Sequence, residues 1–108
     1  MHLKRSDGIR AIVLGVDTPI GLAVLRDLGR AGFFNIGIGR SEAAIGFASR
    51  YCNHAEVRAS DNKLSQQLSM LAKCLNAQYL FVISESDHLL VNQFRSDLES
   101  DLHIFSPQ

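Results

Sequence analysis

The sequence has no tryptophan, only two prolines and two cysteines, and no net charge. Each shortage excludes something. Lys plus Arg and Asp plus Glu both number 11, which removes the broad positive field that nucleic-acid binders rely on. Arg5, Arg26, Arg40, Arg50 and Arg95 are scattered among acidic residues, so they read as a solvated surface rather than a basic patch. Cys52 and Cys74 have no second pair, which argues against a disulfide framework or a zinc site and leaves reduced, partly buried thiols. The start, MHLKR, is polar, and no apolar run is long enough for a signal peptide or a membrane span. A cytoplasmic protein with neither nucleic acid nor membrane as partner is the expectation. No G-x-G-x-x-G, Gly-Lys-Ser/Thr, nucleophile elbow or H-E-x-x-H motif occurs either.

What is present is a globular composition. Hydrophobic residues make up 46% and charged residues 20% of 108, enough for one core and too few residues for two, so a single domain over 1–108 is expected. The order of elements is rhythmic. IRAIVLG at 9–15 reads as a strand buried on both faces of a parallel sheet. Thr18 then offers a helix cap and Pro19 suits the first helical position. Ile20, Ala23, Val24, Leu28 and Ala31 recur at helical spacing, with Gly32 placed for a left-handed cap. FFNIGIG at 33–39 returns to a strand, completing a β-α-β unit of roughly thirty residues. A loop or short helix at 41–50, a short strand at 55–58, a helix capped at 60–62, and a strand at 79–83 follow. Leu64, Leu68, Leu71 and Leu75 form the stripe of that helix. A last helix turns Leu89, Leu90, Val91, Phe94 and Leu98 inward, and 102–105 is a terminal apolar patch. The pattern predicts an α/β fold: a small Rossmann-like, doubly wound parallel sheet of about four or five strands in a three-layer α/β/α arrangement.

In such a sheet ligands bind beyond the carboxyl ends of the strands, and three turns fall there. In the first, Gly15, Asp17, Thr18 and Gly21 bracket a helix start whose amides could hold a phosphate or carboxylate. The alternative is that Gly15 lets the chain turn and Gly21 lets the helix pack. Asp17 opposes a pyrophosphate. In the second, Arg40 follows the second strand, where it either favours a ribose 2′-phosphate, as in a free-standing NAD(P)-binding oxidoreductase or regulatory module, or makes a surface contact. In the third, Ser84, Glu85, Ser86, Asp87 and His88 gather groups suited to acid–base work or a metal, or simply to capping a helix.

Three segments taken in order, LGVDTPIGLAVLRDLGRAG at 14–32, IGFASRYC at 45–52 and YLFVISESDHLLVNQFR at 79–95, resemble the amino-terminal domain of ATP-grasp carboxylate–amine ligases. The likeness spans almost the whole chain. It departs at His88, where the family commonly has an acidic residue. The resemblance implies a substrate-side domain, not catalytic alone, in which Gly15, Asp17, Thr18, Gly21, Arg40, Ser84, Ser86 and Asp87 line one wall of the cleft for a small carboxylate substrate. It implies that the segment at 45–52 is structural, through pairing of Arg50 and packing of Tyr51 and Cys52. It also implies that ATP and Mg2+ serve the complete ligase and bind to an ATP-grasp catalytic domain, in the same gene or a split subunit. No cofactor is expected on this chain alone. A domain of this kind is expected to expose apolar surface, which leaves a homo-oligomer open.

Overall fold

The computed structural model describes residues 8–105; the polar start and the last three residues lie outside it. Strand β1 (Arg10–Leu14) forms the centre of the sheet because every residue from Ala11 to Leu14 is buried, matching its continuous apolar run. Helix α1 (Pro19–Arg30) returns the chain to β2 (Phe34–Gly39), and a 3-10 turn at Ile45–Ala48 leads to β3 (His54–Val57). A 3-10 turn at Asp61–Lys63 opens α2 (Leu64–Cys74), followed by β4 (Tyr79–Val82), α3 (Glu85–Gln93), α4 (Arg95–Leu98) and β5 (His103–Phe105). All pairings are parallel and the order is β3-β2-β1-β4-β5. No helix among the described residues is long and apolar enough to cross a membrane.

The order explains the layers. Two steps leftward from β1 and then two rightward must use opposite faces if every crossover is right-handed. Accordingly Ile12, Leu14, Ile36, Ile38, Leu80 and Val82 pack under α2, α3 and α4, where Leu64, Leu68, Val91 and Leu98 join them. On the other face Val13, Val16, Leu25 and Ala44 form a smaller core beneath α1 and the 40–53 connection. Strand β2 is built for that side: Asn35, Gly37 and Gly39 alternate with the two isoleucines. A side chain at Gly37 would meet Cys52 Sγ at 2.7 Å, and one at Gly39 would meet Ala44 at 2.5 Å, so the connection rests directly on the sheet. Asn35 is fully buried and donates to the carbonyls of Leu25 (3.1 Å) and Tyr51 (3.0 Å), tying α1 and the connection to β2.

Several local expectations hold. Thr18 Oγ1 accepts from the Gly21 amide at 3.1 Å, Pro19 opens α1, and Gly32 at φ +96° closes it. The segment at 45–52 packs: the Tyr51 ring occupies the space beside Gly29, and Arg50 donates to the Tyr51 hydroxyl at 2.9 Å. That bond, and then one from Arg30, lowers the Tyr51 phenol from its ordinary value.

Others are corrected. On α1 the buried residues are Gly21 and Leu25, while Ile20, Ala23 and Ala31 of the expected stripe are exposed. Leu89 is 62% exposed, because it stands two residues, or about 200°, from the buried Val91 on the same helix. Ser60 makes no capping bond; its hydroxyl meets Asn62 Oδ1 at 2.8 Å, and α2 begins after the 3-10 turn. The third strand starts at His54, so Arg58 lies beyond its end. Cys74 is exposed, and residues 103–105 are a fifth parallel strand.

Candidate functional site

The sheet order reverses between β1 and β4, so the crevice at their carboxyl ends is where a doubly wound fold places ligands. The turn after β1 forms one side. Gly15 adopts φ +119°, a conformation that favours glycine, and its missing side chain leaves room for Ile83 at the end of β4. A side chain at Gly21 would lie 2.1 Å from the Gly15 carbonyl oxygen. The first turn of α1 is therefore pressed onto the loop.

Three of the turn's six amides are engaged. Gly15 and Val16 both donate to the Ile38 carbonyl, at 2.9 and 3.1 Å, and the Gly21 amide is taken by Thr18 Oγ1. Thr18 Oγ1 in turn donates to the Gly15 carbonyl at 3.3 Å. Of the two readings of this turn, close packing accounts for both glycines. Asp17 is half-buried at the same edge.

The turn after β4 forms the other side. Ser84 caps α3 by accepting from the Asp87 amide at 3.1 Å, and its hydroxyl lies 3.3 Å from that of Ser86. Asp87 is buried, with its side chain 4% exposed, and meets Arg58 Nη2 at 3.0 Å. Arg58 is itself 9% exposed and also reaches Asp61 Oδ1 at 2.9 Å and the Ala59 carbonyl at 2.9 Å. Arg40 approaches Asp87 at 3.7 Å from the end of β2, with its side chain 57% exposed.

Three strand ends thus converge: β2 through Arg40, β3 through Arg58, and β4 through Asp87. Arg40, Ser84, Ser86 and Asp87 come together as the sequence suggested, beside the turn that holds Gly15, Asp17, Thr18 and Gly21. Arg58 and Asp61 were not anticipated. The available signal was the first residue after the third strand, masked by placing that strand one residue late.

The two guanidinium groups differ in what they can do. Arg58 is a buried cation whose charge Asp87 and Asp61 compensate, and its Nε lacks a partner. Arg40 is held by one long contact and offers most of its donor fork to solvent, in a geometry suited to a carboxylate or phosphate. His88, next in sequence, has a buried Nδ1 without a partner and an Nε2 3.4 Å from Asn92 Nδ2, so it turns along its own helix.

A groove of about 410 Å3 lies elsewhere, between β3 and α2. Three of its polar groups are mutually engaged: His54 Nε2 meets Glu56 Oε2 at 3.0 Å and Gln67 donates to Glu56 Oε1 at 3.0 Å. It stands at the flank of the sheet, away from the switch point, so the carboxyl edge is the better candidate on chemistry. Among the described residues no group of three or more His, Cys, Asp or Glu is placed to hold a metal ion. No family model matches the chain, and no curated protein matches it.

Proposed function

We propose that this chain is the substrate-side domain of an ATP-dependent carboxylate–amine (or thiol) ligase of the ATP-grasp type, with the β1–β4 carboxyl edge as one wall of the cleft. The observation that carries the reading is Arg40: an exposed guanidinium at the switch point, 3.7 Å from a carboxylate that is already neutralised by a buried partner. In this role Arg40 receives the substrate carboxylate in a bidentate grip. Arg58 and Asp87 fix the positions of the loops on either side, and the close-packed turn with Gly15 and Gly21 gives a rigid backing. The Ser84 and Ser86 hydroxyls, with Thr18 and Asp17 across the crevice, set the polar contacts along the wall.

The residues of this edge do not fit ATP or Mg2+. Asp17 stands among the turn's remaining amides and opposes a phosphate there, and among the described residues no three or more His, Cys, Asp or Glu are gathered as metal donors. Under this proposal nucleotide and metal belong to an ATP-grasp catalytic domain, in the same gene or a separate subunit, and the present domain orients the acid to be activated.

The test is a titration of the isotope-labelled chain with small carboxylates (acetate, succinate and neutral amino acids), followed by the Arg40 side-chain and residue 15–21 and 84–87 amide signals. Saturable shifts with affinity on the order of millimolar are expected for at least one acid. Arg40→Ala removes them with no change in thermal stability. Absence of saturation by every acid, or shifts indifferent to Arg40→Ala, refutes the role. Saturation by NADP but by no carboxylate assigns the edge to a dinucleotide module instead, the reading that an exposed Arg after β2 also supports.

A further inference from the structure

Three arginines without a carboxylate partner share one groove. Arg26 and Arg50, scattered in the sequence and read there as solvated surface, meet Arg30 in a concavity of about 470 Å3 between α1 and the 45–51 segment. No acidic residue lines it. The three guanidinium groups take part in none of the ion pairs among the described residues, and Asp27, between two of them in sequence, pairs with neither. Eleven acids balance eleven bases over the whole chain, so the missing counter-charge is local. Arg26 and Arg30 also stand four positions apart on α1, one turn above the other, where like charges repel.

The wall opposite α1 is fixed from below. The Tyr51 carbonyl accepts from the buried Asn35 Nδ2 at 3.0 Å, and the Tyr51 ring fills the space beside Gly29, where a side chain would lie 2.3 Å from it. Arg50 stands over that ring at 5.0 Å from its centroid and donates to its hydroxyl at 2.9 Å. Arg30 donates to the same hydroxyl, so Tyr51 ties Arg50 to Arg30 across the groove. Ser49 Oγ accepts the Tyr51 amide at 3.1 Å, which leaves its hydroxyl hydrogen to donate to a ligand. The groove has two unlike ends. Gly46 donates to the Val16 carbonyl at 2.8 Å just ahead of α1, whereas Tyr51 sits at Gly29, so the segment runs beside the helix in the same direction. Leu22 and Ile45, the latter 48% exposed, mark an apolar end, and the arginines a cationic end roughly 12 Å away at Arg30.

We propose that this groove binds the phosphate group of a phosphorylated small molecule, with Arg26, Arg30 and Arg50 on the phosphate and Leu22 and Ile45 against the organic part. A guanidinium presents a planar fork of donors matched to phosphate oxygens. Three of them with no acid exceed the charge of a single carboxylate and match a group that carries about −1.5 to −2 near neutral pH. The negative end of the helix dipole accounts for Arg30, in the last turn of α1, but not for Arg26 a turn earlier or for Arg50 from a separate segment. The neutral chain lacks the broad field that a nucleic acid uses, so the phosphate is that of a small ligand. The inference stands whether or not the ligase proposal does, since it involves no residue of the carboxyl edge.

The test titrates the isotope-labelled chain with inorganic phosphate, phenyl phosphate and acetate at fixed ionic strength in chloride, followed by the arginine side-chain signals. Saturable shifts at Arg26, Arg30 and Arg50 are expected, with affinity on the order of millimolar for phosphate, about tenfold tighter for phenyl phosphate and weaker for acetate. Arg26→Ala and Arg30→Ala each weaken binding by about tenfold, and both positions are exposed on a helix that alanine favours, so the variants fold. Lys73→Ala, which removes an exposed cation from α2, leaves binding unchanged. Shifts centred on Arg40, no saturation, an equal response to acetate, or insensitivity to the Arg26 and Arg30 variants overturns the proposal. A phenyl ester no tighter than the bare ion overturns it too, since the apolar end then takes no organic group. So does Arg26-dependent capture on vesicles containing phosphatidic acid without binding of the soluble phosphates, which gives the groove to a membrane surface.

Discussion

Replacing Asp87 by alanine strands the Arg58 guanidinium, and the buried geometry sets how much that costs. The two side chains are 4% and 9% exposed and lie 3.0 Å apart, so the pair is an interior contact and not a screened surface bridge. Breaking one partner of a buried pair costs about 3–5 kcal/mol. Asp87→Ala falls near the lower end, about 3 kcal/mol, because Arg58 retains Asp61 Oδ1 and the Ala59 carbonyl. Arg58→Met costs a similar amount, since Asp87 then keeps only Arg40 at 3.7 Å. The double variant removes both charges together and is expected to cost about 3 kcal/mol rather than 6, a coupling of about 3 kcal/mol. Against a total stability of about 5–15 kcal/mol, either single change is plain in urea denaturation, and it lowers Tm by roughly 12 °C or more. Arg40→Ala, mostly exposed and held by one 3.7 Å contact, changes stability by less than about 0.5 kcal/mol. Additivity of the two single effects within about 0.5 kcal/mol, or a loss below about 1 kcal/mol for Asp87→Ala, refutes the assignment of Asp87 as the structural anchor of the edge.

Two further expectations follow from the packing. Gly21→Ala places a methyl 2.1 Å from the Gly15 carbonyl and forces α1 off its turn, a loss of about 3 kcal/mol, read as a shifted urea midpoint. Gly8→Ala, with open space around it, is the neutral control, and equal effects from both refute the close approach. The cysteines differ in reactivity: burial first of all raises the Cys52 thiol above its ordinary value, so a thiol reagent near neutral pH labels the exposed Cys74 well before Cys52. Because the folded state holds the Cys52 proton more tightly, its contribution is fully present below the unfolded thiol's pKa. It is lost as pH rises through the folded one. Stability therefore falls on the alkaline side, and Cys52→Ala reduces that slope; an unchanged slope contradicts the assignment.

The element order was legible because each element carries its own local signal. Runs such as AIVL and YLFV mark buried parallel strands. Thr18 with Pro19, Ser84, and Gly32 mark helix ends by chemistry that acts within four residues. Capping failed at Ser60 for a related reason: its hydroxyl had a nearer partner in Asn62, and sequence does not rank two partners at equal reach. The stripe of α1 was visible as apolar spacing, but which part of it meets the sheet depends on where the helix lies.

By itself, then, the sequence determined that the chain alternates strands and helices in one parallel sheet, and that Arg40, Ser84, Ser86, Asp87 and the 15–21 turn all fall at strand ends. Those facts follow from periodicity and from turn residues close in the chain. Only the tertiary structure decided the strand order. That order set the crevice at β1 and β4 and brought Arg58 onto a carboxylate 29 positions away. The physical reason is that pairing and burial between distant segments are decided by which packing closes the whole core. A long-range salt bridge is a product of that closure.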